Sequence, residues 1–246
     1  NEGFINNTAK GTCEISKPRV YVFEDPVDTR EMRALFDKIL YDNIYLPLMK
    51  RSQANSTDAD IPEVVPTVIF SPAYGHDMKS MADELMEKLS QFPVENKPPF
   101  LSVTNINDKQ ALEDLCYLSG AKLIKKYNDV QNQKDDMDKG LAPTIETIHN
   151  FSGTADLVVS DATKTKVINP YMMYDRDTDG TVKKDENGDA VYSILFTNLL
   201  NTCTIKLAKL EEEGKELTQI YLLKKRINSL KGNMVEYLIG GVSEAD

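Results

Sequence analysis

The chain has 246 residues and a formal net charge of −10. This acidic balance argues against nucleic acid as a partner, because phosphate binding needs clustered Lys and Arg side chains. A hydrophobic share of 41% with 28% charged residues is ordinary for a globular chain in water, and no apolar run approaches the ~20 residues of a membrane span. We therefore expect no nucleic acid and no membrane among its partners.

The cysteine pattern favours a reducing compartment. Cys13, Cys116 and Cys203 are far apart and odd in number, and none has a second Cys or a His at metal-ligand spacing. A cytoplasmic location is therefore expected. Cys116 falls on the apolar stripe of a helical pattern and is expected in the core.

Strand-like runs alternate with helical patterns, which predicts an α/β fold. The run Arg19–Glu24 predicts a strand, and Asp28 is a candidate cap for the helix that follows. That helix should bury one face, because its apolar residues follow the spacing i, i+3, i+4, i+7. These apolar residues are Met32, Leu35, Phe36, Ile39 and Leu40.

Three more elements are predicted before the middle of the chain. Thr67–Phe70 and Phe100–Thr104 are expected as strands, and a second amphipathic helix is expected after Gly75. A further helix, capped by Asn107 or Asp108, carries an apolar stripe. This stripe consists of Leu112, Leu115 and Cys116.

Two polar segments have the composition of inserted loops. The range 46–66 has too few apolar residues to offset its ordering and is expected to be a mobile loop. The range 170–189 contains Asp179-Gly180 and Asn187-Gly188, which favour tight turns.

The second inserted segment also fits a calcium-binding loop. Asp175, Asp177, Asp179 and Glu186 occupy loop positions 1, 3, 5 and 12, with Gly180 at position 6. Hard Ca²⁺ prefers six to eight oxygen ligands, so the spacing has a physical reason. The alternative is a polar hairpin tip, which is favoured because the chain turns immediately after Glu186.

No catalytic motif is recognisable. The two histidines, His76 and His149, lie near no recognisable nucleophile, and the chain has no nucleophile elbow or Gly-rich phosphate loop. An enzyme active site within this segment is therefore not expected, although residues distant along the chain could still meet in space.

Several segments resemble the apical domain of a group I chaperonin, the GroEL type of the Hsp60 family. The resemblance begins at Phe4-Ile5-Asn6 and Arg30-Glu31-Met32 and continues through nearly the whole chain. Its later parts are a helix and strand, a hairpin with Gly-x-Ala and Asp-x-Thr, a long charged helix, and an apolar strand before a Gly pair. These parts are Ala111–Ile124, Gly153–Ile168, Leu207–Gly232 and Met234–Ile239.

The resemblance implies a layered β/β/α fold with two amphipathic groove helices and inserted loops. It divides the chain into an apical, substrate-binding domain at residues 1–232 and the start of an intermediate domain at 233–246. ATP and Mg²⁺ would be bound by other domains of a ring-forming parent protein, so this segment should bind no nucleotide. The degree of divergence suggests a phage-encoded member, which would act in the cytoplasm of its host.

In this family, unfolded polypeptides and the mobile loop of a co-chaperonin bind in the groove between the two helices. Carried over position by position, the substrate-binding residues are Phe4, Arg33, Phe36, Met78 and Ala82. Arg33, Ala82 and Asp83 stand where the family has leucine or valine. The groove is therefore expected to be more polar and to bind clients weakly.

Two other functions stay open at this point. A standalone α/β ligand-binding or enzymatic domain could have the same order of elements. A calcium-stabilised interaction module could be built around the range 175–186.

Overall fold

The structure of the chain is a computed structural model. It describes residues 4–53, 63–72, 97–104, 109–161, 163–214, 217–232 and 234–238, together with residues 87 and 106. Predictions for the second amphipathic helix after Gly75 and for the caps Asn107 and Asp108 lie outside these ranges.

Parallel strands form the first part of the sheet. These strands are β2 (Arg19–Phe23), β3 (Thr67–Phe70), β4 (Phe100–Val103) and β5 (Leu123–Ile124). They run in the order β4-β3-β2, and β5 pairs with the C-terminal end of β2 on its other side. β-Branched and aromatic residues fill β2, and its residues from Val20 to Phe23 are fully buried. Burial on both faces is typical of parallel sheets.

Antiparallel strands form the second part. These strands are β1 (Cys13–Ser16), β6 (Gly153–Ser160), β7 (Lys164–Pro170) and β8 (Met234–Leu238). β6 lies between β1 and β7, while its first two residues pair with the start of β2 and so join the two parts. β8 pairs with β7 along five residues.

Six α-helices lie within the described ranges. They are α1 (Arg30–Leu40), α2 (Leu46–Gln53), α3 (Lys109–Ser119), α4 (Val130–Asp138), α5 (Ile194–Glu212) and α6 (Leu217–Lys231). A π-helical turn, Tyr41–Tyr45, connects α1 to α2, and short 3-10 turns occur at Ile148–Phe151 and Tyr171–Met173.

Alternate residues of β2 belong to two different cores, because successive side chains of a strand point to opposite faces. Tyr21 and Phe23 pack with the apolar side chains of α1, and Val20 and Val22 pack with those of α3. The core on the α3 side also contains apolar residues of α5 and α6. The sheet thus lies between α1 on one face and α3, α5 and α6 on the other, which confirms the α/β class.

The predicted strands at β2, β3 and β4 and the predicted β6–β7 hairpin are confirmed within one or two residues. The cap of α1 was predicted wrongly. Thr29, not Asp28, accepts the hydrogen bond from the Met32 amide, while Asp28 contacts the Lys126 ammonium at 3.0 Å. Adjacent Asp and Thr residues both suit an N-cap, so sequence does not choose between them.

Two other predictions need correction. The range Leu207–Gly232 is not one helix, because α5 ends at Glu212 and Gly214 has a φ of 61°, a left-handed conformation that suits glycine at a helix end. The first part of the predicted loop 46–66 forms helix α2. Residues 54–62 lie outside the described ranges.

Candidate functional site

Helix α1 is the described part of the predicted groove. Thr29 caps its first turn, and the apolar stripe faces the sheet and is buried along its whole length. This burial of one face, with charged residues on the other, is the arrangement that the sequence periodicity predicted.

Phe36 is part of that buried face. Its side chain is only 4% exposed, and its ring centroid lies 6.3 Å from that of Phe23 on β2. The resemblance placed Phe36 on the groove surface, in direct contact with clients. In this structure it is a core residue, because the sheet needs an apolar cover and Phe36 lies on the helix face that supplies it.

Phe4 lies beneath the same region. It is half-buried, packs against both cores, and makes an edge-to-face contact with Phe100 at 5.8 Å. Phe4 and Phe36 thus both contribute to the core on the α1 side.

Arg33 lies on the half-exposed side of α1, one turn before Asp37. Partial burial raises the pKa of Asp37, and the positive charge of Arg33 opposes that rise. The neighbouring residues Arg30, Glu31 and Lys38 are also charged, so the described outer side of α1 is polar. Met78 and Ala82, with Asp83 beside them, lie outside the described residues, and their role stays a prediction.

A polar network that sequence reasoning missed lies at the C-terminal end of α1. The Tyr21 hydroxyl is 2.7 Å from His149 Nδ1, and His149 Nε2 is 2.8 Å from an Asp42 carboxylate oxygen. Asn43 donates to both Tyr21 and Thr67, at 3.3 and 3.0 Å. These residues are distant along the chain, so no local spacing signals the network.

The charged end of this network is Asp42. Partial burial would raise its pKa, but hydrogen bonds from His149 and Lys38 outweigh burial and hold the pKa below its usual value. At the other end, burial raises the pKa of Tyr21, while Asn43 and Arg19 act in the opposite direction. Both shifts favour an ionised Asp42 beside a neutral Tyr21 near pH 7.

Segments that carry the chaperonin resemblance meet on the opposite face of the sheet. Gly153, the first residue of the Gly-x-Ala motif, lies against the end of α3: a Cβ atom at this position would be 2.5 Å from the Ala121 amide nitrogen and from Ser119 Oγ. Only glycine allows this approach without a shift of the backbone.

A buried ion pair connects the third segment to the first, and a strand pairing connects the fourth segment to the second. Arg226 on α6 donates two hydrogen bonds to the Asp114 carboxylate on α3, at 2.6 and 2.5 Å. The Asp114 side chain is 6% exposed and that of Arg226 is 21% exposed. β8, which follows α6, pairs with β7 of the second segment.

The predicted calcium ligands do not come together. Asp175 pairs with Lys183 at 3.0 Å, and Asp179 accepts hydrogen bonds from the amide and hydroxyl of Thr181. Gly180 and Gly188 have φ values of 85° and 86°, as tight turns require. Within the described residues no group of three or more His, Cys, Asp or Glu side chains could hold a metal ion. These contacts favour the polar hairpin.

The described residues contain neither a group of side chains that could hold a metal ion nor a helix that could span a membrane. No helix there is long and apolar enough to cross a membrane. The three cysteines are buried, and burial raises the pKa of Cys13 and Cys116 to about 12, so these thiols are not reactive nucleophiles.

Comparison with protein-family models and with curated proteins found no match. Among solved structures, the chain is similar to a group III chaperonin in the open state, with 15% identity and a TM-score of 0.31 over 62% of this chain and 26% of that one. It is also similar to the chaperonin gp146 from the bacteriophage EL 2 (Pseudomonas aeruginosa), solved in the presence of ATP-BeFx.

The two crystal forms of gp146 give 10% identity each, with TM-scores of 0.45 and 0.42. The matches cover 89% and 92% of this chain but only 32% and 34% of the phage protein. All of these TM-scores lie below 0.5, so the likeness does not by itself establish a function. The chain spans about a quarter to a third of the length of these chaperonins.

Proposed function

We propose that this chain is the client-binding domain of a divergent chaperonin, corresponding to the apical domain of group I members. One observation supports the proposal: the four later sequence segments that resemble that family contact one another. Gly153 packs on the end of α3, Arg226 binds Asp114, and β8 pairs with β7. Segments that resemble one domain only by chance would not need to fold against one another.

The proposed clients are unfolded or partly folded polypeptides that bind along the outer side of α1. Because Phe36 is buried and Arg33 and its neighbours are charged, the described part of this surface offers little apolar area. Affinity should therefore be low, since burial of ~200 Å² of apolar surface gains only ~5 kcal/mol before association costs. Met78 and Ala82 would supply the remaining apolar contacts.

Replacing Arg33 by leucine tests this assignment. The change removes a charge from the proposed surface and adds apolar area, so binding of an uncharged amphipathic peptide should tighten about fivefold, roughly 1 kcal/mol. Fluorescence anisotropy with a labelled peptide measures the change. Lys134→Leu on α4 is the matched control, since it makes a similar change from a cation to leucine on an exposed helix away from α1, α5 and α6.

An equal gain from Arg33→Leu and Lys134→Leu would mean that the peptide adheres to any added apolar side chain, and the assignment of α1 would fail. Loss of binding in Met78→Ser, with unchanged thermal stability, would extend the surface to the second predicted helix.

The parent protein would be an ATP-driven homo-oligomeric ring that acts in the cytoplasm. The nucleotide and Mg²⁺ would belong to its other domains, and a co-chaperonin loop could compete for the α1 surface. Competition between such a loop peptide and an unfolded client for the parent ring tests this part of the proposal.

A further inference from the structure

The proton positions in the network around His149 follow from the donors and acceptors that surround it. An ionised Asp42 carboxylate only accepts hydrogen bonds, so His149 Nε2 must carry the proton of the 2.8 Å contact. A neutral imidazole has one N–H, so Nδ1 is left as an acceptor. The Tyr21 hydroxyl, 2.7 Å away, then donates to it.

The remaining hydrogen bonds fit this assignment without conflict. The Tyr21 oxygen accepts from the Asn43 amide, whose second N–H is given to Thr67, and the Thr67 hydroxyl donates to the Val65 carbonyl at 2.7 Å. Each contact along this path has one donor and one acceptor, and Arg19 and Ser152 also lie beside the Tyr21 hydroxyl. Tyr21, Asn43 and Thr67 are at most 1% exposed, so water does not replace a lost partner.

A second proton on His149 would break this path. Nδ1 would become a donor that faces the Tyr21 hydroxyl, and the hydroxyl would have to turn its proton away from Nδ1, within a buried cluster that also includes Arg19 and Ser152. Attraction to Asp42 would favour the added charge, but Lys38 already lies 3.0 Å from the same carboxylate. Two cations would then share one anion.

The charged and titratable groups that face the ring come from three elements. β2 contributes Tyr21, with the Arg19 charge near its hydroxyl. α1 and the turn after it contribute Lys38 and Asp42. Glu146, just before the 3-10 turn that carries His149, lies near the Lys38 charge.

We propose that His149 is a proton-operated latch: the neutral ring ties the C-terminal end of α1 to β2, and the protonated ring releases Tyr21 and loosens that end of the helix. The device depends only on the contacts within this fold. The proposal therefore does not require that α1 binds clients.

Glutamine at position 149 provides a matched variant. The oxygen and nitrogen of its amide are spaced like the two ring nitrogens, so it can accept from Tyr21 and donate to Asp42, but it does not titrate. The chain has two histidines, so all samples should carry His76→Gln to leave His149 as the one imidazole.

The measurement is amide hydrogen exchange of residues 37–45 at about pH 7.5 and about pH 5.5, which bracket the usual histidine range, after correction for intrinsic exchange rates. Protection of these amides should fall about tenfold at the lower pH with His149 present, and should stay unchanged in His149→Gln. An equal response in the two proteins would overturn the latch.

Nitrogen-15 NMR of the imidazole gives a second, independent test if His149→Gln does not fold. Near pH 7.5 the neutral ring should carry its proton on Nε2. A proton on Nδ1 would contradict the hydrogen-bond path from which the latch is inferred.

Discussion

Gly153 lies where strand β6 passes the end of α3, and the fit leaves no room for a side chain. Its added Cβ would contact backbone atoms of Ala121 and Ser119, which cannot rotate away. Gly153→Ala should therefore lower the free energy of unfolding by about 3 kcal/mol or more. Urea unfolding measures the loss.

Gly188→Ala is the control for this prediction. Gly188 has a left-handed backbone but open space around it, so alanine there should cost only about 1 kcal/mol, from backbone strain. Equal losses at the two positions would show that the close approach at Gly153 is not present in solution.

Asp42 should make the free energy of unfolding depend on pH. Its folded pKa is lowered, so its contribution to stability is present above the unfolded value of about 3.9 and is lost as the pH falls through the folded value. Asp42→Asn should therefore be less stable than the natural chain at pH 7, by about 1 kcal/mol because the side chain is partly solvent-screened. The two unfolding curves should converge once the pH falls below the folded pKa of Asp42.

Urea unfolding at several pH values measures this convergence, and Glu212→Gln on the exposed side of α5 is the matched control. A difference between Asp42→Asn and the natural chain that persists unchanged at low pH would mean that the carboxylate charge is not responsible.

At the scale of elements, the Asp114–Arg226 pair fixes α6 on α3. Removing Arg226 leaves a carboxylate that is only 6% exposed without its main partner, so Arg226→Met should cost about 3–5 kcal/mol. The double variant Asp114→Leu with Arg226→Met should be more stable than Arg226→Met alone, because no unpaired charge remains. A double-mutant cycle by urea unfolding tests this, and additive losses would contradict it.

The acidic hairpin between β7 and α5 should not respond to calcium. Asp175 is bound by Lys183 and Asp179 closes its own turn through Thr181, so neither carboxylate is aimed at a shared ion. The melting temperature should change by less than about 1 °C in roughly 5 mM CaCl₂. A rise of several degrees that Asp179→Asn abolishes would restore the calcium site.

Local patterns explain why many elements were predictable from sequence. The β-branched run at β2 and the apolar stripe of α1 each dictate one element whatever its surroundings. The π-helical turn, by contrast, allows the chain to continue directly from α1 into α2, and the polar composition of this region predicted a loop. Gly214 interrupts a charged helical pattern that otherwise continues without a break.

At the scale of the whole molecule, the candidate site was predicted only in part. The position of α1 followed from its periodicity, but the burial of Phe36 depends on Phe23, which lies on a strand of the sheet beneath it. The latch joins Asp42 to His149, 107 residues apart, and could not be found from spacing. Long-range contacts of this kind are fixed by topology and not by local sequence.

The outer sides of α5 and α6 are the main alternative to α1 as a place where a client could bind. Ile205, Leu217 and Tyr221 are 70%, 85% and 66% exposed there, which is more apolar surface than α1 offers. A method that locates the bound client therefore separates the two surfaces better than an affinity does.

Amide hydrogen exchange of the chain, with and without a chemically unfolded model protein, shows directly whether α1 binds clients. The chaperonin assignment predicts that the added protein protects amides of residues 30–41 and leaves those of 194–212 and 217–231 unchanged. Protection confined to the two later helices, or protection nowhere in the chain, would contradict a client-binding role for α1.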